Sequence, residues 1–207
     1  EFIYRMAFPF ARHLVGWEVQ KALAVVDWFE KIDPLLPVAV MGEGDGGGVA
    51  LFAAALDARI RVAGLNDYLG LRADLPSQPI DRNLMGVLRD FDERSVRALV
   101  AAPRKTCWQP DYVGAVAREL GLRLGRPGVG AIDAAQAEAR QLRQFRELVE
   151  FHQKLIAGSR RVRDKLWSET GPEGVRARFR EEVIGRLPAV RGPLNVRVRE
   201  SYSAAKW

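Results

Sequence analysis

The sequence predicts an α/β fold: a partial parallel sheet with flanking helices, followed by a helical C-terminal region. Three observations predict it. Short all-apolar runs alternate with longer helical patterns. A Gly-rich corner joins one of those runs to an Ala-rich helix. The charge balance also changes sign near residue 120. Apolar runs of strand length, without alternation, are typical of strands buried on both faces. Their regular exchange with helices is the rhythm of a parallel sheet.

The elements follow in order. Residues 11–33 (ARHLVGWEVQKALAVVDWFEKID) spread apolar side chains over Leu14, Val15, Trp17, Val19, Leu23, Val25, Val26 and Phe29. That is a broad helical set, as expected of a helix packed on a sheet. PLLP breaks the chain, because proline cannot continue the helix. VAVM at 38–41 reads as a buried strand, GVALFAAALD at 48–57 as a helix apolar nearly all round, and RIRVAGLN at 59–66 as the next strand. The middle is less regular. Residues 69–81 look like a loop, 82–91 like a short helix, and Thr106–Trp108 like a last strand after a Pro-marked corner.

GLRLGRPGVG at 121–130 is rich in glycine and is taken as the end of a first domain, 1–120. Beyond it, 121–207 is a basic helical linker region expected to lead toward a further domain. A long helix at 131–158 carries Leu142, Phe145, Leu148, Val149, Leu155 and Ile156 on one stripe. A second helix at 171–188 closes at Gly185 and Pro188. PLNVRVRE at 193–200 alternates like an exposed strand.

Composition narrows the function classes. Residues 1–120 carry 14 Lys/Arg against 16 Asp/Glu, and 121–207 carry 18 against 10. The densest basic cluster, SRRVRDK at 159–165, has no aromatic ladder and has acids interspersed nearby, so a solvated helix face is expected and nucleic acid is not. One cysteine, Cys107, leaves no intrachain disulfide and no cysteine-based metal site. The two histidines, His13 and His152, lack ligand spacing, so neither a metal nor a cofactor is expected. No apolar run reaches the ~20 residues a membrane helix needs. The chain opens at Glu1 without a methionine and ends in mid-pattern at Trp207, which reads as a piece of a longer protein.

The motif that carries chemistry is Gly42-Glu43-Gly44-Asp45-Gly46-Gly47, between a strand and a helix. A nucleophile elbow has the form G-x-Nu-x-G: the nucleophile sits on a strained turn whose neighbours must be small, and the following N–H points toward an oxyanion. With Gly42 and Gly46 as the small positions, the apex is Gly44, which has no side chain to attack with. RHLVGWEVQKALAVVDWF, followed by VMGEGDGGGVALFAAALDARI, resembles the α/β-hydrolase-like proteins related to acetyl xylan esterases and dienelactone hydrolases. The likeness covers residues 2–104, and a weaker one covers 175–207. It implies an α/β-hydrolase-like domain, incomplete in this chain, that is ester-hydrolase-like by descent, with an ester or a carbohydrate ester as substrate. Esterase members have Ser at the position of Gly44.

Other groups are candidates for the missing role. Asp45 is a nucleophile if the turn shifts by one residue, since carboxylates form covalent intermediates. Glu43 or Asp45 can instead act as a base on water, or both can simply cap the positive helix end. Asp111, after the last strand, holds the acid's place in the resembled pattern, with Asp67 as second candidate. His152 follows both, although its setting on an amphipathic helix reads as packing. His13 precedes the elbow, and Arg12 is a candidate partner of Glu18 or Asp27. Ser77, Ser95 and Ser159 fall in loops or helices away from the corner. The resemblance also implies strands before the first helix. Their absence would leave an open sheet edge, an association liability, to be covered by an intrachain partner domain or by a second copy in a homo-oligomer. The competing reading is a non-catalytic structural or interaction module of a larger two-domain hydrolase.

Overall fold

A computed structural model describes residues 2–68, 79–84, 86–108, 110–125 and 133–185. Contacts divide the chain into two compact units, Glu1–His152 and Gln153–Trp207. The first opens with a short helix α1 (Phe2–Ala7) and a 3-10 turn at Phe8–Phe10, then α2 (Leu14–Ile32). Strand β1 (Val38–Glu43), helix α3 (Asp45–Leu56) and strand β2 (Ile60–Asn66) follow. Short helices α4 (Val87–Asp90) and α5 (Glu93–Ala98) precede β3 (Lys105–Trp108) and α6 (Tyr112–Glu119).

The three strands are parallel, in the order β1-β2-β3. Val38 pairs with Ile60 and Glu43 with Asn66, with a register irregularity between Val38 and Ala39. Val62 to Leu65 pair with Lys105 to Trp108. The fold is thus the expected α/β arrangement of a small parallel sheet with helices on it. The central strand explains its own sequence: Ile60, Ala63 and Leu65 are wholly buried, because β2 has a strand on each side and a helix on each face.

Successive strand residues point to opposite faces. Ala63 and Leu65 join Val15, Val19 and Val26 of α2, Ala50, Leu51, Ala53 and Ala54 of α3, and Val96 of α5 in the main core. Gly64 faces the other way. A Cβ there would lie 2.8 Å from Val116 and 3.1 Å from Tyr112 of α6, so glycine is what lets α6 approach. At the outer position, β1 is less covered, and Met41 is 48% exposed.

The inner side of α2 packs toward the sheet as expected, with Val15, Val19 and Val26 sharing the core with Ala63, Leu65 and α3, but its buried face is narrower than the apolar set, since Val25, Trp28 and Ile32 are more than half exposed. One expectation changes. The long C-terminal helix runs further than 131–158: α7 (Ala134–Arg178) is interrupted only at Gly171, where φ is 67° and ψ 173°. That break, followed by Pro172, is where the second helix was expected to start. A π-helical turn at Phe179–Ile184 then leads to Gly185 at φ 81°. Within the first unit, α7 leans on α1 and α2 through Phe145 against Phe2 and Phe151 against Trp17. The strand expected from residue 193 and residues 69–78 of the expected loop lie outside the described residues.

Candidate functional site

The corner is built as its glycines require. Gly44 sits at φ 54° and ψ −125°, a conformation that costs a side-chain-bearing residue strain. Its N–H donates to the Asn66 carbonyl at 2.9 Å, and its carbonyl accepts from Gly47 N–H at 3.0 Å. The chain therefore reverses from strand to helix within one residue. A Cβ on Gly42 would lie 1.9 Å from the Gly46 carbonyl oxygen, so Gly42 is small because its α-carbon faces the Gly46 backbone, whereas a Cβ on Gly46 would meet no described residue. Gly47 and Gly48 are small for another reason: the Tyr68 side chain lies across the first turn of α3, and Cβ atoms there would meet it at 3.0 and 2.8 Å. At Gly44 itself no described residue stands within 4 Å of where a Cβ would be. Among the described residues the apex is sterically open, and Gly44 brings no side chain to it.

The carboxylates beside it are engaged elsewhere. Glu43 accepts from Asn66 Nδ2 at 3.3 Å, across the β1–β2 register. Asp45 pairs with Arg82 Nε at 3.1 Å, and the same guanidinium holds Glu18 on α2 at 2.8 Å. Asp45 also stands in the first turn of α3, at the positive end of the helix where a carboxylate is favoured. Arg82 ties the start of α3 to α2. Nothing in the sequence around it marked this role, because the pairing depends on how residues 79–84 fold back onto the corner.

The remaining candidates do not assemble around Gly44. Asp111 caps α6, accepting from Gly114 N–H at 3.2 Å, and its other oxygen faces Arg118 at 3.4 Å. His152 is completely buried on α7. Its Nδ1 lies 2.6 Å from the Leu148 carbonyl, and its ring meets Trp17 edge-to-face at 4.9 Å. No hydrogen bond or ring contact joins it to Glu43, Asp45 or Asp111 among the described residues. It is a packing residue of the α2–α7 contact, the structural alternative its position allowed. Its Nε2 is buried without a partner.

Asp67 is exposed at φ 50° after β2. Ser95 forms a reciprocal capping box with Asp92, and Ser159 bonds the Ile156 carbonyl, so neither serine is at the corner. Ser77 lies outside the described residues. His13 has a buried Nδ1 with no partner, and burial pulls its pKa down. Arg12 bonds neither Glu18 nor Asp27, which are taken by Arg82 and Arg59.

Aromatic residues gather at the carboxyl ends of the strands. Tyr68 packs against Trp108 at 5.9 Å, and Arg97 lies 4.8 Å over the Trp108 ring. Burial, then the charge of Glu93, pushes the Tyr68 pKa up to about 12, so this phenol does not exchange protons near neutral pH. Burial also raises the Cys107 thiol, away from the reactive thiolate. An apolar cleft of about 300 Å³ lies between α2, the later half of α3, and α4 and α5, lined by Val15, Val19, Phe52, Leu84 and Phe91. None of Glu43, Gly44, Asp45, Asp111 or His152 lines it. Among the described residues no cluster of His, Cys, Asp and Glu could hold a metal ion, and no helix is long and apolar enough to cross a membrane. Comparison with family models, curated proteins and solved structures yields no match to this chain.

Proposed function

We propose that this chain is an α/β-hydrolase-like segment, ester-hydrolase-like by descent, whose corner no longer performs ester hydrolysis and which serves as a structural or interaction module of a larger hydrolase. The observation that carries this reading is Gly44: a strained apex with open space above it and no side chain. The engagement of Glu43 by Asn66 and of Asp45 by Arg82 supports it. The outer edge of β1, the strand that precedes the corner, is unpaired among the described residues, and this supports the interaction role. An unpaired edge in a parallel sheet is a place where a further domain or a second copy adds a strand.

A second reading has one specific support. Asp45 is 56% exposed despite its ion pair, so a small ester can reach its carboxylate. Turnover of p-nitrophenyl acetate separates the two. The silent-module reading expects hydrolysis no faster than in buffer. Turnover that disappears in a folded Asp45→Asn variant would replace it with a carboxylate mechanism.

A further inference from the structure

A recess of about 420 Å³ opens on the contact between α2 and α7 and shares no lining residue with the apolar cleft or the Gly44 corner. Its apolar walls are aromatic. Trp17 of α2 meets Phe151 of α7 edge-to-face, with ring centroids 6.2 Å apart. The Trp17 indole is a fixed wall, because the wholly buried His152 ring packs against it at 4.9 Å.

Two cations also line the recess, and the described residues give neither of them an acid. Glu18 and Asp27, the acids expected for Arg12, are held by Arg82 and Arg59. Lys21 follows Trp17 by four residues on α2 and so stands on the same face. Its Nζ donates to Gln144 Oε1 at 3.0 Å, an uncharged acceptor that leaves the ammonium charge unmatched. Glu147, the carboxylate among the lining residues, faces Arg143 at 3.6 Å.

This combination discriminates between ligands. A planar ring gains from offset and edge contacts with aromatic side chains. A carboxylate gains from Lys21 and from the flat guanidinium of Arg12, which can donate to both of its oxygens. An uncharged ring would leave the cations unmatched, and a bare inorganic anion would leave the aromatic walls in water. A hydrocarbon chain would strip water from Gln20, Gln144 and the two cations without replacing their partners. A second copy meeting the recess face to face would bring the same two cations.

We propose that this recess binds a small aromatic carboxylate, with its ring against Trp17 and Phe151 and its carboxylate held by Arg12 and Lys21. The inference goes beyond the reading of the Gly44 corner and does not rest on it.

The test is isothermal titration calorimetry of the full chain with 2-naphthoate, with 2-naphthamide and inorganic phosphate as controls. The expected result is saturable binding of the naphthoate that weakens as salt rises, with both controls weaker by roughly tenfold or more. The Arg12→Gln/Lys21→Gln variant should weaken naphthoate by a similar factor, and so should Phe151→Ala. Arg12 and Lys21 are exposed, so the double variant should keep the parent's circular dichroism and unfolding midpoint. The absence of saturable naphthoate binding overturns the proposal. So does naphthamide binding as tightly, which would make the recess merely apolar, or phosphate binding as tightly, which would make it a site for any anion. Naphthoate binding unchanged in the folded double variant would place the ligand elsewhere on the chain and overturn the proposal too.

Discussion

The corner between β1 and α3 and the helical stretch at 153–170 hold their shapes by opposite means. At the corner, backbone meets backbone: Gly42 against Gly46, Gly44 bonded to Asn66, and the Tyr68 side chain pressed on Gly47 and Gly48. Along the helical stretch, hydrogen bonds and ion pairs link residues three or four apart, and the large side chains face solvent. Steric closure fixes the first: Gly42 has no room for a side chain, and Gly44 holds a backbone conformation that suits glycine. Among the described residues the second is held by helix propensity and by weak pairs between neighbouring turns.

Substitutions can break that contrast in graded steps. Gly42→Ala should be the most damaging, more than about 4 kcal/mol, because its Cβ would overlap the Gly46 carbonyl and only backbone movement can relieve that. Urea unfolding should show a shifted midpoint or a lost cooperative transition. Leu65→Ala, at a fully buried position of β2, should cost about 3 kcal/mol by emptying core volume. Gly44→Ala should cost less, about 2 kcal/mol, since strain at positive φ remains but there is no clash. If the two alanine variants at 42 and 44 were equally stable, the claim of a sterically closed corner with an open apex would be wrong.

Smaller effects sit away from the corner. Arg59 hydrogen-bonds Asp57 and also reaches Asp27 and Glu30, which holds the Asp57 carboxyl below its usual range. A carboxylate depressed in the folded state adds stability that is present above its unfolded pKa of about 4. That stability is lost as pH falls through the depressed folded value. Asp57→Asn should therefore lower the thermal midpoint at pH 7 and lose its difference from the parent in strong acid. Leu166→Lys should be nearly neutral, within about 0.5 kcal/mol. A larger loss would mean that the helical stretch is packed within the chain itself.

How much of this was legible in sequence follows from the range of the forces. RIRVAGLN was readable as a strand because burial on both faces leaves a continuous apolar signature, and VAVM by its short apolar run, although β1 is only partly buried and Met41 is 48% exposed. The corner was readable because only glycine fits where backbones touch. For α2 the packed side was legible but its width was not, because periodicity counts apolar residues without saying which of them meet a neighbour, and Val25, Trp28 and Ile32 meet solvent. Arg82, the residue that engages Asp45, was invisible because its ion pair spans long separations along the chain. His152 carried two meanings in sequence, and only its burial against Trp17 chose between them.

The most direct test of the empty apex is intact-mass spectrometry of the full chain after incubation with p-nitrophenyl acetate at neutral pH, followed by peptide mapping. A corner without a nucleophile predicts no acetyl adduct beyond the slow labelling of surface lysines. A stoichiometric adduct on Asp45, or on a serine brought to the corner, would contradict it.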